Sequence, residues 1–134
     1  MRIKNLNPSN SRGLKKHKYI PTEREEQITL IKYLKLKKIP FYAIPNGGSR
    51  NAIEAKNLKA EGVSAGVPDI CIPVPNSKYH GLYIEMKRKK GGRVSQKQKE
   101  WIERLNRLGY LAVVCYGADE AIKVVERYVN GETI

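Results

Sequence analysis

The sequence predicts an α/β domain, a central mixed sheet flanked by helices, in the order α-β-α-β-β-α-β-α. Three observations predict it. Apolar residues recur at helical spacing in some segments, short apolar runs of strand length lie between those segments, and glycine, proline and asparagine punctuate the joins. Mixed alternation of this kind buries its apolar faces as helices packed on a sheet.

The elements follow in order. Order starts near Pro21, where Thr22 is an N-cap and Glu23, Glu25 and Glu26 occupy the first turn, favoured by the helix dipole. Ile28, Leu30, Ile31 and Leu34 carry the helix to about Lys38. The run from Ile39 to Pro45 is a short strand, Asn46, Gly47 and Gly48 make a loop, and Ser49 caps a second helix running to about Glu61. Gly62 to Gly66 is another loop. Pro68 to Val74 is a strand whose prolines sit at its ends, where a missing N–H matters least. After the turn from Pro75 to His80, the run from Gly81 to Lys87 is a strand, hairpin-paired with the one before it. Lys90 to Arg93 breaks the pattern. Ser95 caps a third helix with Trp101, Ile102, Leu105 and Leu108 on its apolar side, Trp101 packing in the core, and Gly109 ends it. Tyr110 to Tyr116 is an apolar strand and Ala118 to Val129 an amphipathic helix whose Ile122, Val125 and Val129 face the sheet or a partner.

The chain has 134 residues, enough for one substantial core. No apolar run reaches the roughly 20 residues that span a bilayer, and no apolar leader opens the chain, so no membrane association and a cytoplasmic setting, in a bacterial or phage-infected cell, are expected. Cys71 and Cys115 lie in apolar strand-like runs and read as buried, reduced thiols. His17 and His80 lie outside any zinc-like spacing. The charge is unusual: Lys and Arg number 26 against 13 Asp and Glu, a formal net charge of +13. Such an excess favours polyanionic partners, nucleic acid above all. Residues 1–20 carry six of those cations and no acid. They read as a basic N-terminal arm, separate from the domain at 21–134.

Glu85 and Lys87 stand two apart on a strand and project to one face, Met86 to the other. Asp69 opens the neighbouring strand after a glycine-rich loop. If the strands pair, Asp69 and Glu85 converge within reach of one cation. Adjacent carboxylates repel unless a proton or a metal neutralises them, and oxygen ligands select hard cations, Mg²⁺ or Mn²⁺. A lysine beside such a site orients an attacking water or offsets charge developing on phosphate oxygens. These are the parts phosphodiester hydrolysis requires. The plain alternative is an exposed strand-end ion pair. The segment from Lys87 to Arg107 adds Arg88, Lys89, Lys90, Arg93, Lys97, Lys99 and Arg104, which suit phosphate contacts that position DNA without reading sequence, or form a solvated basic face.

The chain resembles the virus-type replication-repair nuclease (VRR-NUC) family of the PD-(D/E)xK nuclease superfamily. The resemblance rests on Glu23 with Gln27, Pro45-Asn46-Gly47-Gly48, Gly66-Val67-Pro68-Asp69, Ile84-Glu85-Met86-Lys87, and Ser95 to Gln98 with Trp101. It implies a restriction-endonuclease-like fold and a metal held by Asp69, Glu85 and the Met86 backbone carbonyl, with Lys87 catalytic. A glutamate of the first helix joins the metal site. Glu23 matches because Gln27 shares its face, and Glu26 competes for the role. Gln98 matches a residue that reaches the site, its alternative being a solvent-facing helical glutamine. Asn46, Gly47 and Gly48 approach the DNA backbone or form a simple turn. Stand-alone members of the family act on branched DNA as homodimers, including Holliday junctions. The resemblance therefore implies a metal-dependent, structure-selective endonuclease resembling a junction resolvase. A nicking, flap or restriction-type nuclease is the enzymatic alternative. A non-catalytic DNA-binding protein is the alternative from another class.

Overall fold

A computed structural model describes residues 18–45 and 51–134. Most of the expected basic arm (residues 1–17), together with Asn46, Gly47, Gly48 and Ser49, lies outside the described residues. Among those described, the chain runs α1 (Glu23–Leu36), β1 (Tyr42–Ala43), α2 (Ala52–Ala60), β2 (Ile70–Ile72), β3 (Leu82–Lys87), α3 (Gln96–Arg107), β4 (Leu111–Tyr116) and α4 (Ala118–Val129). The sheet order is β1-β2-β3-β4. β1–β2 and β2–β3 are antiparallel, with Ile70 opposite Ile84, and β3–β4 is parallel across the α3 crossover, with Glu85 opposite Val114.

The two faces of β3 set the architecture. Leu82, Ile84 and Met86 are fully buried on one face, together with Leu30 and Leu34 of α1 and Ala121, Val125 and Tyr128 of α4. The opposite face carries Tyr83, Glu85 and Lys87 toward α3 and the Tyr110 ring, which meets Tyr83 edge-on at 5.4 Å. On α4, Val125 is buried and Ile122 packs against the core, while Val129 is largely exposed. Both cysteines are free and buried, and burial pushes the Cys115 thiol up to about 12.

Four details differ from the sequence reading. The buried stripe of α1 is Glu26, Leu30 and Leu34, an i, i+4, i+8 row, and Ile28 is exposed. α2 begins after Asn51, whose side chain accepts the Glu54 N–H at 2.8 Å, so Asn51 caps the helix rather than Ser49. β1 and β2 are shorter than their apolar runs, because a residue counts as strand only where a neighbour supplies ladder partners. On α3 only Leu105 is buried. Trp101 is half-buried and Leu108 exposed, so neither packs in the core as expected.

Candidate active site

The three glutamates in the first turn of α1 have separate tasks. Glu25 closes a capping box: its Oε1 accepts the Thr22 N–H at 3.0 Å while Thr22 Oγ1 accepts the Glu25 N–H at 3.2 Å. That contact, with help from the Tyr19 hydroxyl, holds the Glu25 carboxyl below its ordinary range. Glu26 is buried, and its Oε1 accepts the Ala118 N–H at 3.2 Å. Gly117, at the N-cap of α4, has no side chain to cap the helix, so the first-turn N–H groups of α4 need an acceptor from elsewhere in the fold.

 The Glu26 carboxylate thus supplies from α1 the cap that α4 lacks. Gly117 has φ +94°, and a Cβ there would lie 2.8 Å from the Lys89 side chain and 3.4 Å from Glu26 Oε2, so the close approach and the backbone angle both call for glycine.

Glu23, at the start of the same helix, points elsewhere. Carboxylate oxygens of Glu23, Asp69 and Glu85 all lie within 4.8 Å of one another. Of the two glutamates left open by the sequence, the geometry therefore gathers Glu23 into the acidic cluster and leaves Glu26 to α4. Asp69 immediately precedes β2. Its Oδ2 accepts the Met86 N–H at 2.8 Å, and its carbonyl accepts the Ile44 N–H at 2.7 Å, which ties it to β3 and to the β1 end. An extended residue presents its N–H and C=O on the same strand edge. The Met86 carbonyl accordingly faces the edge of β3 where β2 has ended, beside Asp69.

Glu85 is 1% exposed. Its Oε2 accepts a hydrogen bond from Gln98 Nε2 at 3.1 Å and lies 3.7 Å from Lys87 Nζ. Its Oε1 is buried with no hydrogen-bond donor among the described residues. The Glu85 carboxyl is pushed up to about 8, chiefly by burial, then by the charge of Asp69 and a hydrogen bond with it, with Glu23 adding and Lys87 opposing. A buried acid raised this far relieves its repulsion by holding a proton. A hard cation does the same, and three converging carboxylates with an orphaned buried oxygen fit one.

Gln98 is held twice. Its Oε1 accepts the Ser95 N–H at 2.9 Å in a second capping box, which leaves Nε2 for Glu85. The helix carrying it is docked against the loop before Asp69: Gly66 has φ +93°, and a Cβ there would lie 2.7 Å from the Lys97 backbone. The approach is possible only without a side chain.

The basic residues follow Lys87 along the connection to α3 and into its first turn. Arg88 is half-buried, its Nε without a hydrogen-bond partner among the described residues. Lys89 pairs with Asp119 at 3.8 Å, and Lys90, Arg93 and Lys97 are exposed on the β3–α3 connection and the first turn of α3. Sequence reasoning missed the cap formed by Glu26, whose signal was its i, i+4 spacing with Leu30. It also missed the capping box of Gln98, whose signal was the Ser-x-x-Gln pattern.

The VRR-NUC domain family matches residues 22–119. A solved structure described as "VRR_NUC domain protein" is 32% identical and superposes with a TM-score of 0.72, covering 84% of this chain and 91% of that one. No curated protein matches the chain.

Proposed function

The chain belongs to the VRR-NUC domain family, whose membership implies a nuclease-type function and a restriction-endonuclease-like fold, and from that premise we propose that it is a divalent-metal-dependent DNA endonuclease. The observation that carries the reading is the convergence of Glu23, Asp69 and Glu85 beside a buried lysine. Asp69, Glu85 and Glu23, with the Met86 carbonyl, would hold Mg²⁺ or Mn²⁺, which would supply Lewis-acid polarisation of the phosphodiester and a more acidic water. The remaining chemistry belongs to the chain's own side chains. Lys87, 6% exposed, holds a donor and a positive charge where the attacking water is oriented and negative charge grows on the phosphate oxygens. Gln98 fixes the Glu85 carboxylate in one orientation, the task of groups that support a metal ligand from behind. Arg88, Lys89, Lys90, Arg93 and Lys97 hold the DNA backbone near the cluster.

The substrate we propose is branched DNA, cut by a homodimer in the manner of a Holliday junction resolvase. Symmetric incision needs two sites, which a two-fold dimer supplies, and a compact domain with a basic surface recognises shape through phosphate contacts. The chain acts in the cytoplasm on this reading. No described helix is long and apolar enough to cross a membrane. The test incubates purified protein with labelled four-way junction, linear duplex and single-stranded DNA in Mg²⁺, Mn²⁺ or chelator, beside Asp69→Asn. Paired symmetric cuts in the junction, lost in chelator and in the variant, are expected. Equal cutting of linear duplex would replace the resolvase with a nicking, flap or restriction-type nuclease, and binding without metal-dependent cutting would replace the enzyme with a DNA-binding protein.

A further inference from the structure

Beside the acidic cluster lies a groove of about 610 Å³ between α2 and α3, a size that accepts a nucleotide-sized ligand. Its walls combine two chemistries. Leu58 and Val63 are apolar, and the half-buried Trp101 ring lines the groove with the Arg104 guanidinium 4.7 Å from its centroid. Lys59, Lys97 and Arg104 bring positive charge to the same lining, where Glu100 is the one acid among the described residues. α2 buries none of its residues, so the helix that forms one wall adds nothing to the core.

Two chain segments connect the groove lining to the acidic cluster. Lys97 is followed by Gln98, whose Nε2 reaches Glu85 at 3.1 Å. Ala65 lines the groove, and the next residue, Gly66, lies against the Lys97 backbone in the loop that leads to Asp69. An aromatic ring with a stacked guanidinium and flanking lysines is the combination that holds an unpaired base and its phosphate. The ring offers a surface every base can stack on, and the cations take the backbone.

We propose that this groove is a subsite for an unpaired nucleotide of the DNA substrate, its base against Trp101 and its phosphate against Lys59 and Lys97. The subsite gives the enzyme a means of selecting DNA that is not fully paired, because a base inside a duplex is already stacked on its neighbours. This inference deepens the nuclease reading and rests on it for the identity of the polymer.

Trp101 is the chain's only tryptophan, so its fluorescence reports on the groove directly. The experiment titrates the full chain, carrying Asp69→Asn and kept in chelator, with a four-nucleotide oligothymidine and with a blunt hairpin duplex. Saturable quenching by the oligothymidine and little by the duplex is expected. Lys59→Glu, and Ala55→Phe to fill the groove from α2, should each weaken the oligothymidine at least about tenfold. Both sites are on the exposed surface of α2, and circular dichroism melts of each variant identify any that fails to fold, the other then carrying the test. Absence of quenching, equal quenching by duplex, or full affinity in folded variants would overturn the subsite. Tryptophan emission that changes with protein concentration alone, together with a dimer that Ala55→Phe converts to monomer, would assign the groove to a second copy of the chain and overturn it too. Because the titration needs no cleavage, quenching together with no cutting by the unsubstituted chain in Mg²⁺ or Mn²⁺ would sink the nuclease reading and leave the subsite, whereas cutting by that chain without quenching would do the reverse.

Discussion

The two faces of β3 are both buried, yet burial has opposite consequences on them. Leu82, Ile84 and Met86 lose only apolar contact with water, and each contributes to stability. Glu85 and Lys87, one residue along on the other face, are 1% and 6% exposed and must give up hydration for a single loose contact at 3.7 Å. Breaking water contacts around such charges costs more than one loose pair returns. One face holds the fold together. The other is a site whose groups are kept where they are unfavourable for folding, and a bound cation would relieve that strain.

The largest effect that sharpens this contrast is on cleavage. Asp69→Asn should lower activity by on the order of a thousandfold, the several kcal/mol that a metal's charge stabilisation represents, as measured by single-turnover cutting, while its melting temperature in chelator holds or rises. A variant that unfolds instead would place Asp69 among the structural residues. On the other face, Ile84→Ala should cost about 2–5 kcal/mol in urea unfolding; a cost near zero would contradict the dry core. Gln98→Ala should lower activity about 10- to 100-fold through Glu85, and restoring Mn²⁺ to high concentration should recover part of it if orientation of the ligand is the cause.

The pH dependence follows from Glu85. Its folded carboxyl is raised from 4.5 to about 8, so between those values the folded protein keeps a proton that the unfolded chain releases. In chelator, the contribution of Glu85 to stability is present below about pH 4.5 and lost as pH rises through about 8. Glu85→Gln should flatten that decline in a melting-temperature series, and an unchanged slope would show that another group governs it. The smallest effect is expected at Glu26. Glu26→Ala removes the cap of α4 and should cost about 1–2 kcal/mol, with the acidic cluster's metal affinity retained.

Much of this was legible in the residues. The alternation of Leu82 to Lys87 placed a carboxylate and an ammonium on one strand face, and the capping residues Thr22 and Ser95 marked their helices. The pairing of β2 with β3 also follows from the short turn between two apolar runs. What was hidden depended on contacts distant in sequence. Glu26 reads as first-turn acidity until Ala118 N–H is found against it, because a buried carboxylate breaks the rule by which the apolar face of a helix is counted. The rotation of α1 that buries Leu30 and exposes Ile28 has the same origin. Trp101 satisfies the helical spacing of a core residue, yet it lines the groove opposite α2 and stands outside the buried cluster.

The charged face of β3 is proposed to be a cation site. Calorimetric titration of Mn²⁺ into the metal-free protein at pH 7, repeated in buffers of different ionisation enthalpy, tests it most directly. Saturable binding is predicted, accompanied by release of about one proton per ion as Glu85 is deprotonated, and lost in Asp69→Asn. Absence of saturable binding, or binding that Asp69→Asn leaves intact, would contradict the account.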